Sequence, residues 1–108
     1  MISDSKISKL LDKWARKTKL TKKNIKWTNN LTKWRQFIKR EEAKIKCSSP
    51  FGAVNIGSSN HLIYLNVRKH SNNAKEMENT ILHELNHIKF PKLTEAMIRK
   101  MTNRVIPT

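Results

Sequence analysis

His83-Glu84-Leu85-Asn86-His87 places two imidazoles four positions apart, with a carboxylate directly after the first. On a helix of about 3.6 residues per turn, His83 and His87 lie one turn apart on one face. Two neutral nitrogens so placed suit one zinc ion. Glu84 then leans to the side where a zinc-held water sits. It can take a proton from that water and pass it to a leaving amine. The spacing therefore points to metal-assisted hydrolysis of a peptide bond.

A catalytic zinc needs three protein ligands and one open position. Glu95, His61, His70, Cys47 and Glu76 are the candidates. Glu76 lies two turns before His83 on the same helix, about 10 Å away along the axis. His61 and His70 read as surface or strand-end residues, and Cys47 as a core side chain. Glu95 follows His87 by eight positions, just past a turn at Pro91. It opens the next helix, where a carboxylate can fold back to the metal, and is the preferred third ligand.

These residues need elements to hold them. Ile7, Leu10, Leu11 and Trp14 recur at helical spacing after Ser3, Asp4 and Ser5, predicting a helix to about residue 19. Residues 20–30 read as a connection, in which Ile25 and Trp27 could form a short strand or anchor. Asn30 caps a second helix with Leu31, Trp34, Phe37 and Ile38 on one face. Trp14 and Trp34 fall on apolar stripes and are expected in the core rather than free to stack bases.

Ala43, Ile45 and Cys47 alternate with lysines, which predicts a strand with that face buried. Residues 51–56 suggest a second strand, broken by Gly52, and residues 61–67 a third. Tight turns between them imply a small antiparallel or mixed sheet of three strands. Ser71-Asn72-Asn73 caps the histidine helix, whose stripe is Met77, Ile81, Leu82, Leu85 and Ile88. The two histidines border that stripe on a more exposed flank. Pro91 ends this helix, and Thr94 caps a last one running to about residue 103. The expected fold class is α+β, in a single domain over residues 1–108.

Lys and Arg number 23 against 8 Asp and Glu, for a formal net charge of +15. Residues 1–46 carry 15 of the cations and 4 of the acids. That half is expected either to meet an acidic partner or nucleic acid, or to be a solvated surface. One cysteine excludes an internal disulfide. No apolar run nears the ~18 residues of a membrane span, and no secretory segment opens the chain. The expected localisation is cytoplasmic.

A strand, a His-Glu-x-x-His helix and a second helix carrying Glu resemble the gluzincin metallopeptidases. At this length the chain resembles the minigluzincins, over about residues 62–101. The likeness rests on Ile63-Tyr64-Leu65-Asn66, Ile81-Leu82-His83-Glu84-Leu85-Asn86-His87 and Leu93-Thr94-Glu95. It implies a zincin-like minimal catalytic domain, with His83, His87 and Glu95 as ligands of one zinc and Glu84 as general base and acid. It also implies that the strand at 61–67, through Tyr64, Leu65 and Asn66, pairs with an extended peptide substrate. Latency in that family implies a segment such as residues 102–108 filling the cleft. The SprT-like metallopeptidases, some of which act on proteins attached to DNA, are a second resemblance. They carry a third histidine six residues after the second, where this chain has Leu93. Zinc peptidases generally add an oxyanion donor, for which Tyr64, His70, Arg99 and Arg104 are candidates. A non-enzymatic, basic nucleic-acid-binding protein is the alternative from a different class.

Overall fold

The computed structural model describes residues 1–107, with the backbone alone at residues 46–49. Five helices and four strands follow in the order α1 (Asp4–Lys17), β1 (Asn24–Thr28), α2 (Leu31–Glu41), β2 (Lys44–Ser49), β3 (Gly52–Ile56), β4 (Asn60–Leu65), α3 (Val67–His70), α4 (Ala74–Lys89) and α5 (Glu95–Val105). Each long helix starts where a short polar side chain can accept from an otherwise unpaired backbone N–H. Ser3, Asn30, Asn73 and Thr94 do so for Lys6, Lys33, Glu76 and Met97. At the other end of α2, Glu42 takes a left-handed φ of 48° and turns the chain into β2.

The sheet has four strands, not three, in the order β1-β4-β3-β2. Asn24–Thr28 is the added strand. It pairs in parallel with β4, Asn24 opposite Asn60 and Thr28 opposite Tyr64, while β2, β3 and β4 are antiparallel. Local pattern gives little warning of this strand. Only Ile25 and Trp27 mark it, and its partner lies 36 residues away in the chain. Gly52 does not break β3 but begins it.

One face of the sheet carries Val54, Ile63 and Leu65 and packs under α1 and α4. Ile7, Leu10, Leu11, Trp14, Met77, Ile81 and Leu85 complete this core. On the other face α2 covers β4 and β1, burying Trp34, whose indole donates to the Leu62 carbonyl at 2.8 Å. That cover stops short of β2. Ile45, paired with Asn55 on this face, is therefore 45 % exposed rather than buried. The side chain of Cys47, expected in the core, lies outside the described residues.

Trp14 reaches the core as expected, with its ring buried and its Nε1–H donating to Glu78 Oε2 at 2.7 Å. Lys13 pairs with the same carboxylate at 2.8 Å, tying α1 to α4. Burial pushes the Glu78 carboxyl upward, but the hydrogen bonds from Lys13 and Trp14 outweigh it and hold it below its ordinary range. No helix among the described residues is long and apolar enough to cross a membrane.

Candidate metal centre

The centre forms where α4 meets α5. His83 and His87 sit one turn apart on α4, and their Nε2 atoms are 3.1 Å from each other. Glu95 is the first residue of α5, placed there by the Thr94 cap. Its two oxygens divide between the rings, Oε1 at 2.7 Å from His83 and Oε2 at 2.8 Å from His87. Among the described residues, His83, His87 and Glu95 are the group of metal-ligating side chains that converges on one point. His61, His70 and Glu76 do not join them.

This geometry fits a zinc ion. With ligand bonds of about 2.0–2.2 Å, tetrahedral donors stand roughly 3.3 Å apart. The separations here are a few tenths of an ångström shorter, so each side chain would need only a small outward shift. The donor set, two imidazoles and a carboxylate, is of a kind that can hold a zinc ion. The His83 imidazole is pushed below its ordinary pKa, chiefly by burial, with the Glu95 carboxylate opposing. The shift favours the neutral form, which is the one that binds metal.

Both histidines are more enclosed than their place beside the apolar stripe implies. His83 is 8 % exposed and His87 fully buried. The reason is α5, which lies across this flank of α4. Asn86 donates to Thr102 Oγ1 at 3.0 Å, and Asn79 donates to Asn103 and to the Ile106 carbonyl at 2.9 and 2.7 Å. Sequence reading missed these bonds, which fix the helix that presents Glu95. Their signal was present as Asn79 and Asn86, two amides a helical repeat apart beside an apolar stripe.

The same contacts overturn the expectation that the tail fills the cleft. Thr102 belongs to α5 and is buried, and Ile106 packs into the core. The tail secures α5 against α4. Thr108 lies outside the described residues.

Glu84 is fully buried and faces the sheet rather than α5. It is one residue past His83, so it points about 100° round the helix. There it meets the start of β3. A Cβ on Gly52 would stand 3.6 Å from Glu84 Oε1, and only 2.9 Å from the Tyr64 carbonyl. What glycine avoids here is the clash with the Tyr64 carbonyl of β4 and a tight 3.2 Å approach to Thr80 Cγ2 of α4; the Glu84 distance is ordinary contact.

The substrate-pairing role expected of Tyr64, Leu65 and Asn66 is contradicted by topology. β4 is an interior strand, with β1 on one side and β3 on the other. Leu65 is 1 % exposed and pairs with Gly52. Tyr64 turns to the α2 face, 6.3 Å from the Trp34 ring. The Asn66 N–H donates to the Phe51 carbonyl, and its side chain caps α3. The sheet's open edges belong to β1 and β2, and β2 is the one beside β3 and Glu84.

His61 and His70 are also buried, at 4 % and 2 % exposure, not surface residues. His70 Nδ1 lies 2.7 Å from the Asn66 carbonyl, so it carries the proton and donates. Nε2 then accepts from the Thr80 hydroxyl at 2.8 Å. This clips α3 to α4 one turn before Glu84. Of the four oxyanion candidates, Arg99 has a contact to the centre, with Nη2 3.7 Å from Glu95 Oε1.

No protein-family model matches the chain, and searches of curated proteins and of solved structures return no match.

Proposed function

We propose that this chain is a zinc-dependent peptidase of the His-Glu-x-x-His, Glu type, as its likeness to the minigluzincins implies. The convergence of His83, His87 and Glu95 from two helices carries this reading. A zinc ion held by them supplies Lewis acidity to a carbonyl and makes a water nucleophilic near neutral pH. The chain's own part in hydrolysis falls to Glu84. Its carboxylate takes the proton of the attacking water as the oxygen bonds to the carbonyl carbon. It returns that proton to the amide nitrogen as the C–N bond breaks. Burial against β3 fixes its rotamer for both transfers. Arg99 stands at the exposed rim, where a substrate carbonyl or carboxylate would meet it. An extended peptide has the open edge of β2 to pair with on this side of the sheet.

The test is Glu84→Gln. The purified chain should hold one zinc and cleave unfolded protein or mixed peptide substrates. The variant should keep its zinc and fold, and lose hydrolysis by about 10²- to 10⁴-fold. A wild-type chain that takes up no zinc near neutral pH ends the proposal, as does a Glu84→Gln variant as active as the parent.

A further inference from the structure

From residue 13 to residue 40 the chain has eleven lysines and arginines and no acidic residue. This run covers the last five residues of α1, the connection, all of β1 and most of α2. Every one of the eleven is exposed. Ion pairs join two of them to acids outside the run, Lys13 to Glu78 and Arg40 to Glu41. The fold brings the run to one side of the molecule. β1 is an open edge of the sheet, α1 lies over one face beside it and α2 over the other. Most of these cations therefore flank the β1 edge, while Lys13 turns to Glu78 on α4. Glu84, beside the metal centre, meets β3, two strands further in, or about 10 Å across the sheet.

Unneutralised charge of one sign, collected on one edge, costs self-repulsion and attracts a polyanion. We infer that the β1 edge and its flanking helices bind the phosphate backbone of nucleic acid, at a surface separate from the metal centre. The aromatic residues of this face decide the mode. Trp14 is buried, with Lys13 and Lys17 over its ring at 5.1 and 4.9 Å. Trp34 is buried, Trp27 is half-buried against the core with its indole donating to Ser8, and Phe37 is half-buried with Arg40 5.8 Å from its ring. None offers an open ring for a base to stack on, as single-strand binders require. Binding is therefore to the duplex backbone and indifferent to sequence. The run's large apolar side chains are buried or half-buried except Leu31, at 36 % exposure, so little of it can insert into a bilayer.

The test is titration of a labelled random-sequence 20-base-pair duplex with the full chain, at several salt concentrations. The expected log–log slope is about −4 to −5, equivalent to about five phosphates. Lys22→Gln, Lys23→Gln and Lys26→Gln together should weaken binding about ten- to hundredfold near 0.1 M salt and cut the slope by about 3. Lys75→Gln, Lys92→Gln and Lys100→Gln together change the net charge equally on other elements and should weaken it far less. Arginine at 22, 23 and 26 should restore it. Equal loss in the two glutamine triples, salt-independent binding, or tighter binding to polyglutamate, anionic vesicles or single-stranded DNA overturns the inference. Binding should survive Glu84→Gln, so this outcome and that of the hydrolysis assay are read separately.

Discussion

Four histidines divide by the role of their ring nitrogens. His83 and His87 aim both Nε2 atoms at one carboxylate, whereas His70 spends both nitrogens on hydrogen bonds that join α3 to α4. His61 is different again. Its Nδ1–H donates to the Asn55 carbonyl at 2.8 Å, and its ring is buried. Burial, aided by nearby Lys23, outweighs the backbone interactions with Asn55 and Ser58 and lowers its pKa from 6.5. The folded state thus binds a proton at His61 less readily than the unfolded state does. The stabilisation is fully present above pH 6.5 and is lost as pH falls through the lower, folded value. Urea midpoints measured downward from pH 7 should fall with a slope that His61→Gln reduces. Since His83 is depressed as well, the difference between parent and variant isolates His61; parallel pH profiles would refute the assignment.

Among the elements, the β3–β4 pair bears most on Glu84, and a side chain strengthens it. Asn55 is fully buried and bridges the strands beyond the Val54–Ile63 pair, donating to the Asn60 carbonyl at 2.8 Å and accepting from the Leu62 N–H at 2.9 Å. Asn55→Ala would leave the Leu62 N–H without this partner, while water can reach the carbonyl of exposed Asn60. At about 1–3 kcal/mol for a buried group left unpaired, the variant should lose roughly 1–3 kcal/mol in urea unfolding. A loss under about 1 kcal/mol would show that the amide is not needed there. Helix starts were legible in sequence because caps are local: Ser3, Asn30 and Thr94 all serve the helices read from them. Exposure of Ile45 was not legible, because alternation tells which residues share a face but not whether another element covers it. The same limit applies to β4, whose alternation is that of any half-buried strand, interior or edge.

For the whole molecule, a metal that binds the folded chain and not the unfolded one must stabilise the fold. Zinc at about a hundred times its dissociation constant should add roughly 2.7 kcal/mol, seen as a rise in Tm that a chelator reverses. Glu84→Gln should keep that rise, because Glu84 is not among the converging ligands. Glu95→Ala should lose most of it, with zinc affinity falling by more than the ~10–100-fold typical of residues that only support a ligand. An unchanged zinc response in Glu95→Ala would remove Glu95 from the centre.

The His-Glu-x-x-His stretch determined by itself that two imidazoles share a helix face and that a carboxylate points elsewhere on the same helix. Helical periodicity alone requires both. The turn at Pro91 and the cap at Thr94 made Glu95 a candidate, since they set where the next helix starts. Only tertiary structure decided that α5 lies back across α4, locked by Asn79, Asn86 and Ile106, so that Glu95 meets both rings and encloses them. It alone decided the parallel seating of β1 beside β4, which closes β4 to a substrate and leaves β2 as the edge on the side of Glu84. Contacts within a helical turn are written in adjacent residues. Contacts between elements depend on which surfaces bury one another, and no local pattern carries that information.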